Sequence, residues 1–177
     1  MVGSTFLDFD KSHAKALKLI RTGENPTFGL LVIAGINLGL RISDLLQLKY
    51  GDLKALSLTI VEGKTKKTRK LKVNHNIQQA MEYFKEENEN FFAFRSQKGS
   101  VYSSQHVNRL MKQYFKRDKI SSHSLRKTFG RRVWDNNQQS EKALLYLSEL
   151  FNHTSISVTR KYLGIRQQEL DDIYMSL

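Results

Sequence analysis

The 177-residue chain has no cysteine, a single proline and no apolar run long enough to cross a bilayer. Without cysteine there is no disulfide framework, no thiolate zinc site and no cysteine nucleophile, and five scattered histidines give no ligand spacing for a metal. The expectation is chemistry with no metal and no cofactor. The longest apolar stretch, Phe28 to Leu40, falls short of the roughly 20 residues a bilayer demands and contains Asn37, and the first residues lack an apolar signal core. A cytoplasmic protein is expected. Nor is there a repeat, a low-complexity tract or a Gly/Ser linker, so residues 1–177 read as one domain. At this length a chain buries about 70% of the surface its unfolded form exposes, enough for one core without staples.

Negative charge is also scarce, with 17 Asp+Glu against 29 Lys+Arg and a net charge of +12. Polyanions are the natural partners of such a chain. The distribution is uneven: six of the nine residues from Lys64 to Lys72 are basic, and Asn90 to Trp134 holds eleven basic residues and one acid, Asp118. That segregation suits a face that tracks a phosphate backbone, and it suits unrelated solvated helices as well.

Periodicity predicts a mainly α fold with a small antiparallel β-hairpin. Asp10 is placed to cap a helix to about Ile20, and Asn25-Pro26 supplies a cap and an N1 proline for an apolar helix to about Leu40. Ser43 starts a brief third helix. Leu56 to Val61 and Arg69 to Val73 read as strands joined by the cationic turn Gly63-Lys64-Thr65-Lys66-Lys67-Thr68. Amphipathic helices follow at His75 to Glu87, Ser104 to Lys116, Ser122 to Trp134, Gln139 to Phe151 and Ser155 to Leu163. The last, Gln167 to Met175, places Leu170, Ile173 and Tyr174 on one side, to pack within the chain or on a neighbour.

Three segments place cations and protic groups where core packing does not require them. Arg41, in Gly39-Leu40-Arg41-Ile42-Ser43-Asp44, stands at a helix junction; taken alone, it serves equally well as a counter-charge for Asp44. His123 and Arg126, three apart, share a helix face, although a lone His-x-x-Arg arises often by chance. His153 leads a segment ending at Tyr162, where a half-buried histidine and a core tyrosine are the plain alternatives.

In this order, the segments resemble the catalytic domain of the tyrosine recombinase (phage integrase) family. Gly39-Leu40-Arg41 with Asp44 three residues on matches the family's first box. Lys64, in Gly63-Lys64-Thr65, matches its hairpin lysine, and His123-Ser124-Leu125-Arg126 matches its His-x-Leu-Arg box. Leu150-Phe151-Asn152-His153, followed by Thr159 and Tyr162, matches its terminal box. Three departures accompany the match. Phe151-Asn152 stands where the family usually has Leu-Gly, Lys127 replaces a frequent second histidine, and Asn136 to Lys142 lacks an expected glycine.

The resemblance implies a recombinase-like fold and site-specific cleavage and rejoining of DNA strands through a 3′-phosphotyrosine. Its residues would be Arg41 and Arg126 on the phosphate oxygens, His153 as a further donor and Tyr162 as nucleophile. His123 would help that phenol, and Lys64 would be the acid for the departing 5′ oxygen. Lys66 is its rival, because a two-residue slip keeps it on the same face. The chemistry suits these types: guanidinium forks match phosphate oxygens and stay charged, while a phenol of pKa about 10 needs a base or a positive field. Thr159 reads as a helix hydroxyl and Tyr174 as packing. Lys66, Lys67, Arg69, Arg109, Lys112 and Lys127 are the candidate DNA contacts.

The implied partner is double-stranded DNA at specific sites. The chain would be a monomer alone and a homo-tetramer when synapsed, its C-terminal helix touching a neighbour. The family's helical core-binding domain has no counterpart ahead of Asp10, so the chain reads as the catalytic fragment. Two other readings stand beside this one: topoisomerase IB-like cleavage and religation, and a DNA-binding module without chemistry.

Overall fold

The structure is a computed structural model that describes residues 3–176. Ten helices and one hairpin follow in chain order among them. They are α1 Phe9–Arg21, α2 Pro26–Leu38, α3 Ile42–Leu45, α4 Tyr50–Lys54, β1 Ser57–Val61, β2 Thr68–Lys72 and α5 His75–Met81. A 3-10 turn, Glu82–Phe84, precedes α6 Ser104–Tyr114, α7 His123–Asn136, α8 Glu141–Phe151, α9 Ile156–Leu163 and α10 Ile165–Met175. The mainly α expectation with one antiparallel hairpin holds.

Helix α2 is apolar all round because it is enclosed all round. Phe28, Leu30, Leu31, Val32, Ile33 and Ala34 are each 0% exposed, and α1, α5 and α7 pack against the helix. Its start follows the sequence: the Asn25 side chain accepts the Phe28 N–H at 3.2 Å, with Pro26 at the first helical position. At α1 the cap differs from expectation. Asp8, not Asp10, accepts the Lys11 N–H at 2.9 Å, while Asp10 pairs with Arg132 at 3.3 Å. Asp8 precedes the first helical residue in extended backbone, where its carboxylate reaches a free N–H, whereas Asp10 already lies in the first turn.

Other boundaries also move. Helix α4 was not expected, since Tyr50-Gly51-Asp52 carries little helical pattern; Asp52 accepts the Lys49 N–H at 2.8 Å and holds that turn. The helix expected to run to Glu87 yields to the 3-10 turn at Glu82. The strands pair in register, Ser57 with Lys72 and Val61 with Thr68, so Leu58, Ile60, Leu71 and Arg69 share the inner face. Thr59, Val61, Thr68, Lys70 and Lys72 face outward and are exposed.

Burial divides into two clusters. One gathers α1, α2, the hairpin, α5 and α6; the other holds Trp134, Ala143, Leu144, Leu147, Phe151, Leu163 and Ile165 from α7 to α10. Gly130 brings them together. A Cβ there would lie 2.7 Å from Leu163 and 2.9 Å from the Phe151 ring, so α7 sits closer to α8 and α9 than any larger residue would permit. The seam between the clusters is where the functional candidates meet. Beyond it, α10 leaves Leu170, Ile173 and Tyr174 43%, 58% and 76% exposed, so Tyr174 is not packed within the chain as expected. No helix of the described residues is long and apolar enough to cross a membrane.

Candidate active site

The site begins where α2 ends. Gly39 adopts φ +62°, and a Cβ there would fall 2.2 Å from Phe129 Cδ1, so no other residue fits without moving α7. That bend aims the Gly39 carbonyl at Arg126, whose Nη1 donates to it at 2.7 Å. Two residues on, Arg41 is the extended residue preceding α3, and its side chain leaves the helix altogether. Its Nη1 donates to Glu62 Oε2 at 2.7 Å and its Nη2 to the Phe151 carbonyl at 3.3 Å. Asp44, the counter-charge favoured by spacing, is only a distant partner at 4.0 Å. It accepts the Gly63 N–H at 3.0 Å instead, fastening α3 to the root of the hairpin.

Arg126, one turn into α7, is 5% exposed. Besides Gly39, it donates from Nη2 to the Phe151 carbonyl at 3.2 Å, and its guanidinium carbon lies 4.3 Å above the Phe151 ring. The two forks therefore share one acceptor although 85 residues separate them in sequence. Burial, with help from Arg41 and Arg69, pulls the Arg126 pKa down to about 10, against the opposing effect of Tyr162, and leaves it charged at neutral pH. Arg69 completes the cluster, donating to Leu150 O at 2.9 Å and to Glu62 at 2.7 Å.

What these cations surround is the C-terminus of α8. The last carbonyls of a helix have no partners within it, and the helix dipole makes that end negative. Leu150 O and Phe151 O receive Arg69, Arg41 and Arg126. The helix then stops in a Schellman motif: the Asn152 N–H donates to Glu149 O at 3.0 Å and the His153 N–H to Ser148 O at 2.9 Å. Asn152 takes φ +53°, the conformation a glycine would supply. Asparagine tolerates it, so the Phe151-Asn152 departure preserves the turn. Around Asn136 to Lys142, Gln138 and Gln139 adopt φ +55° and +57° in the same way.

The turn delivers His153 into the cluster. Its Nδ1 lies 2.9 Å from Thr159 Oγ1, and its ring packs edge-on to Tyr162 at 5.1 Å and to Phe151 at 5.4 Å. Thr159, expected to be a plain helix hydroxyl, is 0% exposed and anchors this imidazole. Burial lowers the His153 pKa, and Arg126 and Arg41 lower it further, which favours the neutral ring. Tyr162 is half-buried on α9, its ring edge-on to Phe151 at 5.5 Å and to His153. Burial pushes the phenol pKa up and outweighs the pull of Arg126 and Arg41. Its proton needs an acceptor.

His123 opens α7 with part of its surface exposed; partial desolvation of the rest, and then the charges of Lys127 and Arg126, lower its pKa. Lys127, a candidate DNA contact, turns inward. Its Nζ donates to Ser4 O at 2.6 Å and sits 5.0 Å from the centre of the Tyr162 ring. Arg69 is likewise committed to Glu62 and α8. Lys64, Lys66, Lys67, Arg109 and Lys112 are exposed. Lys67 donates to Asn152 Oδ1 at 2.6 Å, Arg109 contacts His106 Nδ1 at 3.0 Å, and the Lys64 ammonium meets no partner among the described residues. In the turn itself Lys66 takes φ +57°, so Lys64 and Lys66 stand in different backbone conformations.

The phage integrase family profile matches residues 20–169, which includes every residue of this cluster. The chain belongs to that family. By descent it is grouped with the tyrosine-type site-specific recombinases. Among curated relatives, the chain is 35% identical over 145 residues to the probable integrase/recombinase YoeC of Bacillus subtilis (strain 168), covering 76% of each chain. A tyrosine recombinase of Agathobacter rectalis is 27% identical over 146 residues, but the chain spans only 47% of that protein's length. Among solved structures, XerA recombinase superposes with a TM-score of 0.70 at 20% identity, over 99% of this chain and 66% of the other. The catalytic-domain fold is thereby shared.

The structure brings Arg41, Arg126, His153 and Tyr162 together, while the Lys64 and His123 side chains make no hydrogen bond to that cluster among the described residues; the holding parts played by Glu62 and Thr159 were not assigned from sequence. Glu62 follows a strand in a basic stretch, where a lone acid reads as solubilising; only its 1% exposure marks it out. Thr159 lay inside a recognised box, three residues from Tyr162, so its presence on that face was legible while its partner was not.

Proposed function

We propose that the chain is the catalytic domain of a recombinase that cleaves and rejoins DNA strands through Tyr162. The phenol oxygen attacks phosphorus as the bond to the 5′ oxygen breaks; His123 takes the phenol proton and Lys64 gives one to the departing oxygen. Charge gained by the non-bridging oxygens meets the Arg41 and Arg126 forks and the His153 N–H. The resulting 3′-phosphotyrosine conserves the bond, so a 5′ hydroxyl reverses the step without ATP, metal or other cofactor. The observation that carries this reading is the convergence of both guanidinium forks on one carbonyl, with the Tyr162 ring packed against His153 and Phe151 beside them.

The duplex would run across the exposed cations, with Lys66, Lys67, Arg109 and Lys112 on its phosphates and Arg69 and Lys127 reserved for the site framework. Such contacts make affinity fall steeply with salt. On synapsed DNA four copies would assemble, the exposed stripe of α10 covered by a neighbour, in the cytoplasm where the DNA is. The test is covalent capture. A randomised pool of nicked duplexes is incubated with the chain, denatured, and searched for protein-linked DNA. A single enriched site and loss of the adduct in Tyr162→Phe support the reading; an adduct that survives that substitution, or none at all, defeats it. Adducts without sequence preference would favour the topoisomerase-like alternative.

A further inference from the structure

Glu62 is buried beside the site, yet neither the motifs nor the proposed reaction uses it. Its two oxygens have different partners. Oε1 accepts Arg69 Nη1 at 2.7 Å, while Oε2 accepts both Arg41 Nη1 and the Thr65 hydroxyl, each at 2.7 Å. Burial alone would raise its pKa; the hydrogen bonds from Arg69, Thr65 and Arg41 prevail and bring it to about 2, so it is an anion at any working pH. Two guanidiniums already compensate that charge. The Thr65 bond adds nothing to neutralisation, and what it does is tie the turn to Arg41.

The main chain reinforces the tie. The Glu62 N–H donates to Lys67 O at 3.0 Å and its carbonyl accepts the Lys66 N–H at 2.9 Å, closing the turn, while Gly63 is held by Asp44. Lys64 therefore projects from a turn fixed on both sides, at Glu62-Gly63 before it and Thr65 after it. We infer that Glu62 is a positioning residue that couples the phosphate-holding Arg41 to the turn carrying Lys64, so that gripping the phosphate sets the acid in register with the departing oxygen. This rests on the strand-transfer reading above.

The test separates proton delivery from phosphate binding. The captured duplex is made with either oxygen or sulfur at the 5′ bridging position. As the phosphorus bond to Tyr162 forms and the bridging bond breaks, an oxygen leaves with a proton, whereas a sulfur leaves as thiolate without one. Single-turnover cleavage is measured for the parent, Lys64→Ala, Thr65→Val and Glu62→Gln, with thermal melting to verify folding. Thr65→Val, which leaves the Arg41 contact intact, is expected to slow the oxygen substrate about fivefold, the scale of one hydrogen bond, and to match the parent on sulfur. Glu62→Gln is expected to slow the oxygen substrate about tenfold to a hundredfold, because a bond to a charged group is lost, and to recover several-fold on sulfur. Equal losses on both substrates, or a Thr65→Val variant as fast as the parent on oxygen, overturn the inference. Lys64→Ala equally slow on both removes the acid assignment and the inference with it; a parent that forms no adduct defeats the strand-transfer reading itself.

Discussion

Replacing Thr159 with valine asks how much of His153's usefulness depends on being held. The hydroxyl is 2.9 Å from Nδ1 at a position with 0% exposure, so no water replaces it. A neutral imidazole carries one N–H. With the hydroxyl donating to Nδ1, that proton resides on Nε2, where it can donate to a phosphate oxygen; with valine, nothing enforces that tautomer. An unmade bond to a buried acceptor costs about 1–3 kcal/mol, and a whole preorganised donor about 3–4 kcal/mol, which sets the ceiling. Thr159→Val should therefore slow single-turnover cleavage about tenfold to a hundredfold, less than His153→Ala does, with Thr159→Ser retaining most of the rate. The decisive measurement is the double variant. If Thr159 acts through the imidazole, His153→Ala with Thr159→Val cleaves no more slowly than His153→Ala alone. Additive losses, or a valine variant with the parent rate, would mean that Thr159 does not act through His153.

Gly39→Ala places a Cβ 2.2 Å from Phe129 in a left-handed conformation, and should cost about 2–5 kcal/mol in chemical denaturation from strain and overpacking together. Asn152 and Gln139, at φ +53° and +57°, occupy glycine-like positions: glycine at either should hold or raise the melting temperature, whereas Asn152→Val should lose about 1–2 kcal/mol and displace His153. Cleavage should have an acid limb set by His123. Its pKa lies below the ordinary 6.5, chiefly through burial and then through Lys127 and Arg126, so the basic form persists at neutral pH and is lost as pH falls through the lowered value. Lys127→Met removes one of those charges, and the limb of the pH–rate profile should move upward; an unmoved limb would dissociate it from His123.

Local physics settled much of this protein at the level of sequence. The Asn25-Pro26 start, the enclosed apolar helix α2, the cationic hairpin and the order of Arg41, Lys64, His123, Arg126, His153 and Tyr162 depend on neighbouring residues or on a linear pattern. Tertiary structure decided what those residues touch. The free end of α8 collects guanidiniums from three distant segments because its unpaired carbonyls lie at the seam of two hydrophobic clusters. Asp44 and Glu62 show the division most plainly: spacing along α3 offered Asp44 to Arg41, but the fold brought the hairpin root closer. A buried carboxylate must find charged donors wherever the chain folds past it, and no local pattern records which segment that will be.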